Sequence, residues 1–220
     1  MSSIPVSELV ELDRNVSRRK ETDRIMSFPK WFVLSIITLG IAGIIADYRL
    51  ITRRNEHFKR QKRCEESMLK LLESKSNRVD IATELAKMSS IRKDYDEEEG
   101  EKSAILWTIL SVVTGIAGLY VIYFLTRDVY RHHLRQNEYV GEFVNSINKL
   151  GIETSILSSA IKAQYQVPKR GFFKYLLLSI VTLGIFGVYW YYVVYEDWNN
   201  HFKTQWVVED EILAVVQRMP

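Results

Sequence analysis

Three uncharged apolar segments, each interrupted by a Gly-x-x-Gly pair, set the terms on which this chain folds. Trp31–Ala46, Ser103–Thr126 and Tyr175–Tyr195 contain no Asp, Glu, Lys or Arg and run 16, 24 and 21 residues. Uncharged runs of about 18 or more suit a bilayer span, whereas runs of roughly 10–14 suit buried or re-entrant segments. The glycine pairs are Gly40/Gly43, Gly115/Gly118 and Gly184/Gly187, preceded by Thr38, Thr114 and Thr182. Averages hide this clustering, because 47% hydrophobic and 26% charged residues would describe an ordinary globular chain.

The three segments align on their glycines, and the register continues beyond them. A histidine recurs in each copy (His57, His132, His201), followed one helical turn later by a glutamine (Gln61, Gln136, Gln205). Met68, Phe143 and Ile212 coincide next, then Leu72, Ile147 and Val216. Self-similarity of this kind marks a repeat architecture. The units are read as residues 1–88, 89–163 and 164–220, each a polar amphipathic lead, an apolar core and a charged helical tail. Pro29 and Pro168 precede apolar segments, where helix boundaries are expected. The stretch 89–102 reads as an exposed linker. No strand pattern stands out, so the expected class is all-α integral membrane, with three tandem helical-hairpin repeats, re-entrant or half-bilayer, and cytoplasmic amphipathic helices.

Three considerations favour hairpins over single spans. As a straight helix the first segment measures roughly 24 Å, against about 30 Å of hydrocarbon. Basic residues flank it on both sides: Arg18, Arg19, Lys20, Arg24 and Lys30 before it, Arg49 to Arg63 after it. A single span would place one cluster on the wrong side. Direct repeats also keep one orientation more simply as hairpins. The turn residues would be Thr38, Gly40, Gly43, Thr114, Gly115, Gly118, Thr182, Gly184 and Gly187. Glycine allows the positive φ of a tight turn, and threonine hydroxyls could bond the freed backbone groups. A charged lead without a small-residue cleavage site predicts no removable signal peptide. The expected location is the cell membrane, with most polar mass cytoplasmic.

The core Thr182–Tyr192, TLGIFGVYWYY, resembles small prokaryotic membrane-protein domains of unknown function that carry a TLGIYGLYW-like core. The first copy, TLGIAGIIADY, is a weaker match, and the second, VTGIAGLYVIY, lacks the Leu between Thr and Gly. The resemblance implies a membrane hairpin and brings no catalytic residue.

Chemistry-bearing motifs are absent: no phosphate loop, nucleophile elbow, metalloprotease motif or Cys-x-x-Cys. The single Cys64 permits no internal disulfide. No enzyme and no cofactor is expected. The repeated His57, His132, His201, Gln61, Gln136 and Gln205 read as interfacial residues between tails; their alternative reading is a threefold metal or haem site. Arg49, Arg53, Arg54, Lys59, Arg60, Lys62 and Arg63 read as lipid-headgroup contacts, because juxtamembrane basic clusters attract anionic lipid. The function expected is a non-catalytic membrane scaffold or accessory subunit that inserts hairpins in the bilayer, shapes it or oligomerises. The alternatives are a three-span channel or transporter subunit, or a metal- or haem-binding membrane protein. Expected partners are a bilayer rich in anionic lipid and other copies or subunits of a membrane complex, with no nucleic acid.

Overall fold

Each Gly-x-x-Gly reverses the chain. The computed structural model describes residues 6–76 and 79–219, and within them every regular element is a helix. Helix α3 (Phe28–Ile37) folds back onto α4 (Ile41–Glu73), α6 (Ala104–Thr114) onto α7 (Ile116–Lys149), and α9 (Phe172–Val181) onto α10 (Ile185–Gln217). The threonine closes each turn from both sides. Thr38 Oγ1 donates to the Leu34 carbonyl at 2.7 Å and accepts from the Ala42 amide at 2.9 Å. Thr114 and Thr182 repeat this with Leu110 and Ala117, and with Leu178 and Phe186. Groups freed at one helix end and at the next helix start are thus satisfied by one hydroxyl.

Two of the turns carry a left-handed Leu-Gly pair, Leu39 at φ 49° with Gly40 at 98°, and Leu183 at 50° with Gly184 at 94°. The second turn lacks that leucine and reverses on Gly115 alone, at φ 63°. In the first hairpin the later glycine lets the two helices close together, since an added Cβ at Gly43 would meet Ser35 Oγ at 3.2 Å; at Gly118 and Gly187 it would make ordinary contact.

The long helices α4, α7 and α10 span 33, 34 and 33 residues and lie side by side in one direction. Their histidines meet at one level. The lead helices α1 (Val6–Ser17), α5 (Ala82–Glu98) and α8 (Ser155–Ala163) each pack against two long helices, α1 on α4 and α10, α5 on α7 and α4, α8 on α10 and α7. The pattern is cyclic, and two asparagines latch it. Asn55 on α4 accepts from the Lys102 amide and donates to its carbonyl; Asn199 on α10 does the same for Met26. The last long helix therefore holds the segment entering the first hairpin.

Two apolar cores stack along the long helices. Leu50, Ile51, Phe58, Phe124, Leu125, Trp190 and Trp198 fill the one nearer the turns. Met68, Phe143 and Ile212, with Leu72, Ile147 and Val216, lie in the other. These are the positions that coincide between copies in the sequence. The stretch 89–102 is not the expected linker, because α5 continues through most of it. Met88, Ile91 and Tyr95 recur at helical spacing and are buried, so packing holds the helix. The side chains of Asp96–Glu98 lie outside the described residues.

The integral-membrane class is corrected, and with it the transmembrane segments and the cell-membrane location built on them. Among the described residues no helix is long and apolar enough to cross a membrane. The physical reason is the break at each glycine pair. It divides every apolar segment between a helix of 10 or 11 residues and the first turns of a long helix that soon becomes polar. A helix of 10 residues is only about 15 Å long. The three-span alternative falls for the same reason.

Candidate functional site

Two regions stand out, one at each level of the long helices. The first is the layer of turns. Leu39 and Leu183 are 96% and 95% exposed, and Val113 and Ile116 are 75% and 76% exposed on the second hairpin. Ile37, Ile41, Val181 and Ile185 extend the same apolar surface. The three tips are neighbours: Gly43 and Ala46 share a cleft with Gly184 and Gly187, and Leu39 and Ile44 share another with Thr108 and Val112. All nine predicted turn residues are therefore at or beside the turns.

The second region is a polar layer between the cores. His57, His132 and His201 are each 0% exposed. They lie between the long tail helices and in the interior, because the α4, α7 and α10 faces that carry them converge on one axis. One ring nitrogen from each lies within 4.8 Å of the others. His57 Nε2 and His132 Nε2 stand 3.1 Å apart. On the far side of each ring, Nδ1 of His57 pairs with Asp23 Oδ1 and Nδ1 of His132 with Glu99 Oε2, both at 2.9 Å. Neither nitrogen of His201 has a hydrogen-bond partner among the described residues. Phe58, Trp198 and Phe202 pack against the rings.

Two arginines tie this layer together. Arg60 donates to Asp23 Oδ2 at 2.7 Å and to Glu209 Oε1 at 2.9 Å. Arg135 reaches Glu65 at 3.0 Å and Glu99 at 2.6 Å. Gln136 donates to Gln61, and Gln61 and Gln205 both donate to Glu209. The glutamines are thus interior as well.

Burial holds all three histidines below the usual imidazole range, His201 furthest. They are neutral near pH 7. Burial alone would raise the carboxyls of Asp23 and Glu99, but both are held well below the usual range by their histidine and arginine partners. With the imidazoles neutral, Arg60 and Arg135 carry the electrostatic share of that effect. Burial pushes the Glu209 carboxyl up, since it shares Arg60 with Asp23.

The predicted headgroup contacts separate into two groups. Arg49, Lys59 and Arg63 are exposed, and Lys62 is half-buried over the Tyr95 ring. Arg53, Arg54 and Arg60 are buried and cannot meet headgroups. Arg54 pairs with Asp128 at 2.7 Å, and Arg53 donates to Asn199 Oδ1 and the Arg24 carbonyl. Their positions face the helix contacts, and contiguous charge in a sequence does not reveal that.

The orienting carboxylates were missed. Asp23 and Glu99 precede their histidines by 34 and 33 residues. That near-equal spacing was the available signal, but the third unit has Val167 and Pro168 at the matching places.

The family described as a domain of unknown function, DUF4234, matches residues 170–215. No curated protein and no solved structure matches the chain. The matched residues take in α9, its turn and most of α10, including Thr182, Gly184, Gly187, His201 and Gln205. This part of the chain is similar to a small-domain family of unknown function.

Proposed function

We propose that this chain is a non-catalytic scaffold made of three tandem copies of one small domain, and that its partner is the surface of an anionic lipid bilayer. Contact would be made from one side, by the three hairpin tips, with no crossing. The observation that carries this reading is the joint exposure of the tips, with Leu39 and Leu183 almost fully exposed on hairpins that share a cleft lined by Gly43 and Gly184. Contiguous apolar surface of this extent marks an interaction site.

Charge favours anionic lipid over a neutral surface. Lys30, Arg49, Lys169 and Lys174 are exposed where the hairpins meet the body of the protein. Each basic residue near such a surface contributes about 1 kcal/mol of attraction. Tyr48, Tyr189 and Tyr192 are also exposed there, and aromatic rings favour the headgroup level.

Flotation of the full chain with phosphatidylcholine vesicles, with and without phosphatidylserine, tests the reading. Expected is co-flotation with the anionic vesicles, weakened by salt and abolished by Leu39→Glu with Leu183→Glu. Tips that bury one another in an oligomer, with no vesicle recovery, would overturn it.

A further inference from the structure

We propose that His57, His132 and His201 form a three-imidazole site for one first-row divalent cation, Zn2+ foremost, at the axis where the three long helices meet. The site goes beyond the lipid reading and does not depend on it.

The hydrogen bonds at the two outer nitrogens set the argument. A carboxylate accepts only, so Asp23 and Glu99 place the proton of each neutral ring on Nδ1. Both Nε2 atoms then present lone pairs, and they do so toward each other at 3.1 Å. Two lone pairs at that distance repel unless a proton or a metal ion lies between them, and the third imidazole beside them favours the metal ion. Tetrahedral zinc with Zn–N bonds of about 2.0–2.1 Å sets its nitrogens about 3.3 Å apart. The observed separation is close to that value. The ligand nitrogens lie within 4.8 Å of one another, so a movement of the His201 ring by less than about 2 Å completes the triad, and it has no hydrogen bond to give up.

Charge supports the same assignment. Four buried carboxylates, Asp23, Glu65, Glu99 and Glu209, and two guanidiniums, Arg60 and Arg135, make up the ion-paired network that reaches the rings. Fully ionised, those six groups carry two negative charges in excess, partly offset by the buried Arg53 guanidinium near Asp23, and the remainder favours a cation on three neutral imidazoles. Metal-ligating histidines characteristically pass their other N–H to a carboxylate, which orients the ring and raises its basicity. Two of the three rings already have such a partner. Three imidazole nitrogens suit zinc and its neighbours, with the fourth tetrahedral position left to a water. Haem does not fit, since the ring centroids lie only 5.0–5.3 Å apart.

The metal would fasten one long helix from each unit, and through Asp23 and Glu99 the segments that enter the first two hairpins. The test is metal analysis of the purified full chain, then chelation and titration with Zn2+ and with Co2+ as a visible-absorption probe. Expected is one metal per chain with a tetrahedral Co2+ spectrum. Asp23→Asn and Glu99→Gln should each weaken Zn2+ affinity about 10–100-fold. His201→Phe should abolish the Co2+ spectrum while circular dichroism shows the helices retained. Should His201→Phe fail to fold, the two carboxylate variants and the wild-type titration decide. A folded wild-type chain that takes up neither ion would overturn the assignment. So would an affinity unchanged in His201→Phe, which would place the metal elsewhere.

Discussion

The turn layer and the histidine layer are built on the same three long helices, yet they handle repetition in opposite ways. At the turns, each hairpin closes on itself. Its threonine, glycine and serine bond or pack within the hairpin, and the apolar side chains face outward. At the histidine layer nothing closes locally. The rings of His57 and His132 and the guanidiniums of Arg60 and Arg135 find their partners on other elements, and the groups are buried. One level is therefore tolerant of change and open to a partner, while the other depends on all three helices arriving together.

The largest expected effect tests that contrast directly. Arg135→Leu removes the guanidinium shared by Glu65 and Glu99 and leaves two buried carboxylates without it. Breaking a buried pair from one side costs about 3–5 kcal/mol. Leu183→Glu, at an exposed tip, should change stability by no more than about 0.5 kcal/mol while weakening vesicle binding. Urea denaturation of both variants measures this, and comparable losses would erase the distinction between the layers.

A smaller effect separates the two glycines of one pair. Gly184 sits at φ 94° and Gly187 in ordinary helix, where an added Cβ would lie 3.7 Å from Ser179 Oγ. Gly184→Ala should cost about 1–2 kcal/mol, the penalty for a left-handed L-residue. Gly187→Ala should be neutral or stabilising by up to about 1 kcal/mol through helix propensity. Thermal melts of the two variants decide whether only the first glycine is conformational, as the geometry requires.

How much of this was legible in the sequence differs between the layers for a physical reason. The turns are local: Thr38, Gly40 and Gly43 carry within a few residues everything the reversal needs, so the hairpin could be read directly. The span class could not, because an uncharged run records what a segment lacks and not where it bends. The histidine layer was visible only as a recurrence. Reading His57, His132 and His201 as interfacial residues between tails rests on their place about 21 Å of helix beyond the glycines, which says nothing about the face on which they lie. Asp23 and Glu99 approach from distant segments, and their spacing is echoed only twice. Arg53 and Arg54 were indistinguishable from Lys59 and Arg63 for the same reason.

One titratable group sits between the two layers and gives the comparison a pH axis. Asp47 lies half-buried in the clefts between hairpins, and burial pushes its carboxyl up to about 6. The folded chain thus binds this proton more tightly than the unfolded chain, whose Asp titrates near 3.8. Stability from this group falls as pH rises from about 4 to 6, and the full penalty stands at pH 7. Asp47→Asn should therefore stabilise by about 1 kcal/mol at pH 7, allowing for partial exposure, and not at all below pH 4. Urea curves at the two pH values provide the check; a gain of equal size at both would mean that charge is not the cause.

The smallest effect concerns the basic run that looked uniform in sequence. Lys59 and Arg63 are exposed, whereas Arg54 is buried against Asp128 and donates to the Gly100 carbonyl. Surface substitutions away from special features stay within about 0.5 kcal/mol. Lys59→Ala with Arg63→Ala should accordingly leave the urea midpoint nearly unchanged. Both residues lie on the stretch of α4 between the two cores, flanking the histidine level and away from the tips, so vesicle binding should also change little. Lys30→Ala with Lys174→Ala should instead weaken affinity for anionic vesicles, by about fivefold for each contact of about 1 kcal/mol. Equal effects from the two pairs would mean that attraction to lipid is spread over the whole surface. A deficit confined to Lys30 and Lys174 would place it at the base of the hairpins, where the apolar tips could follow.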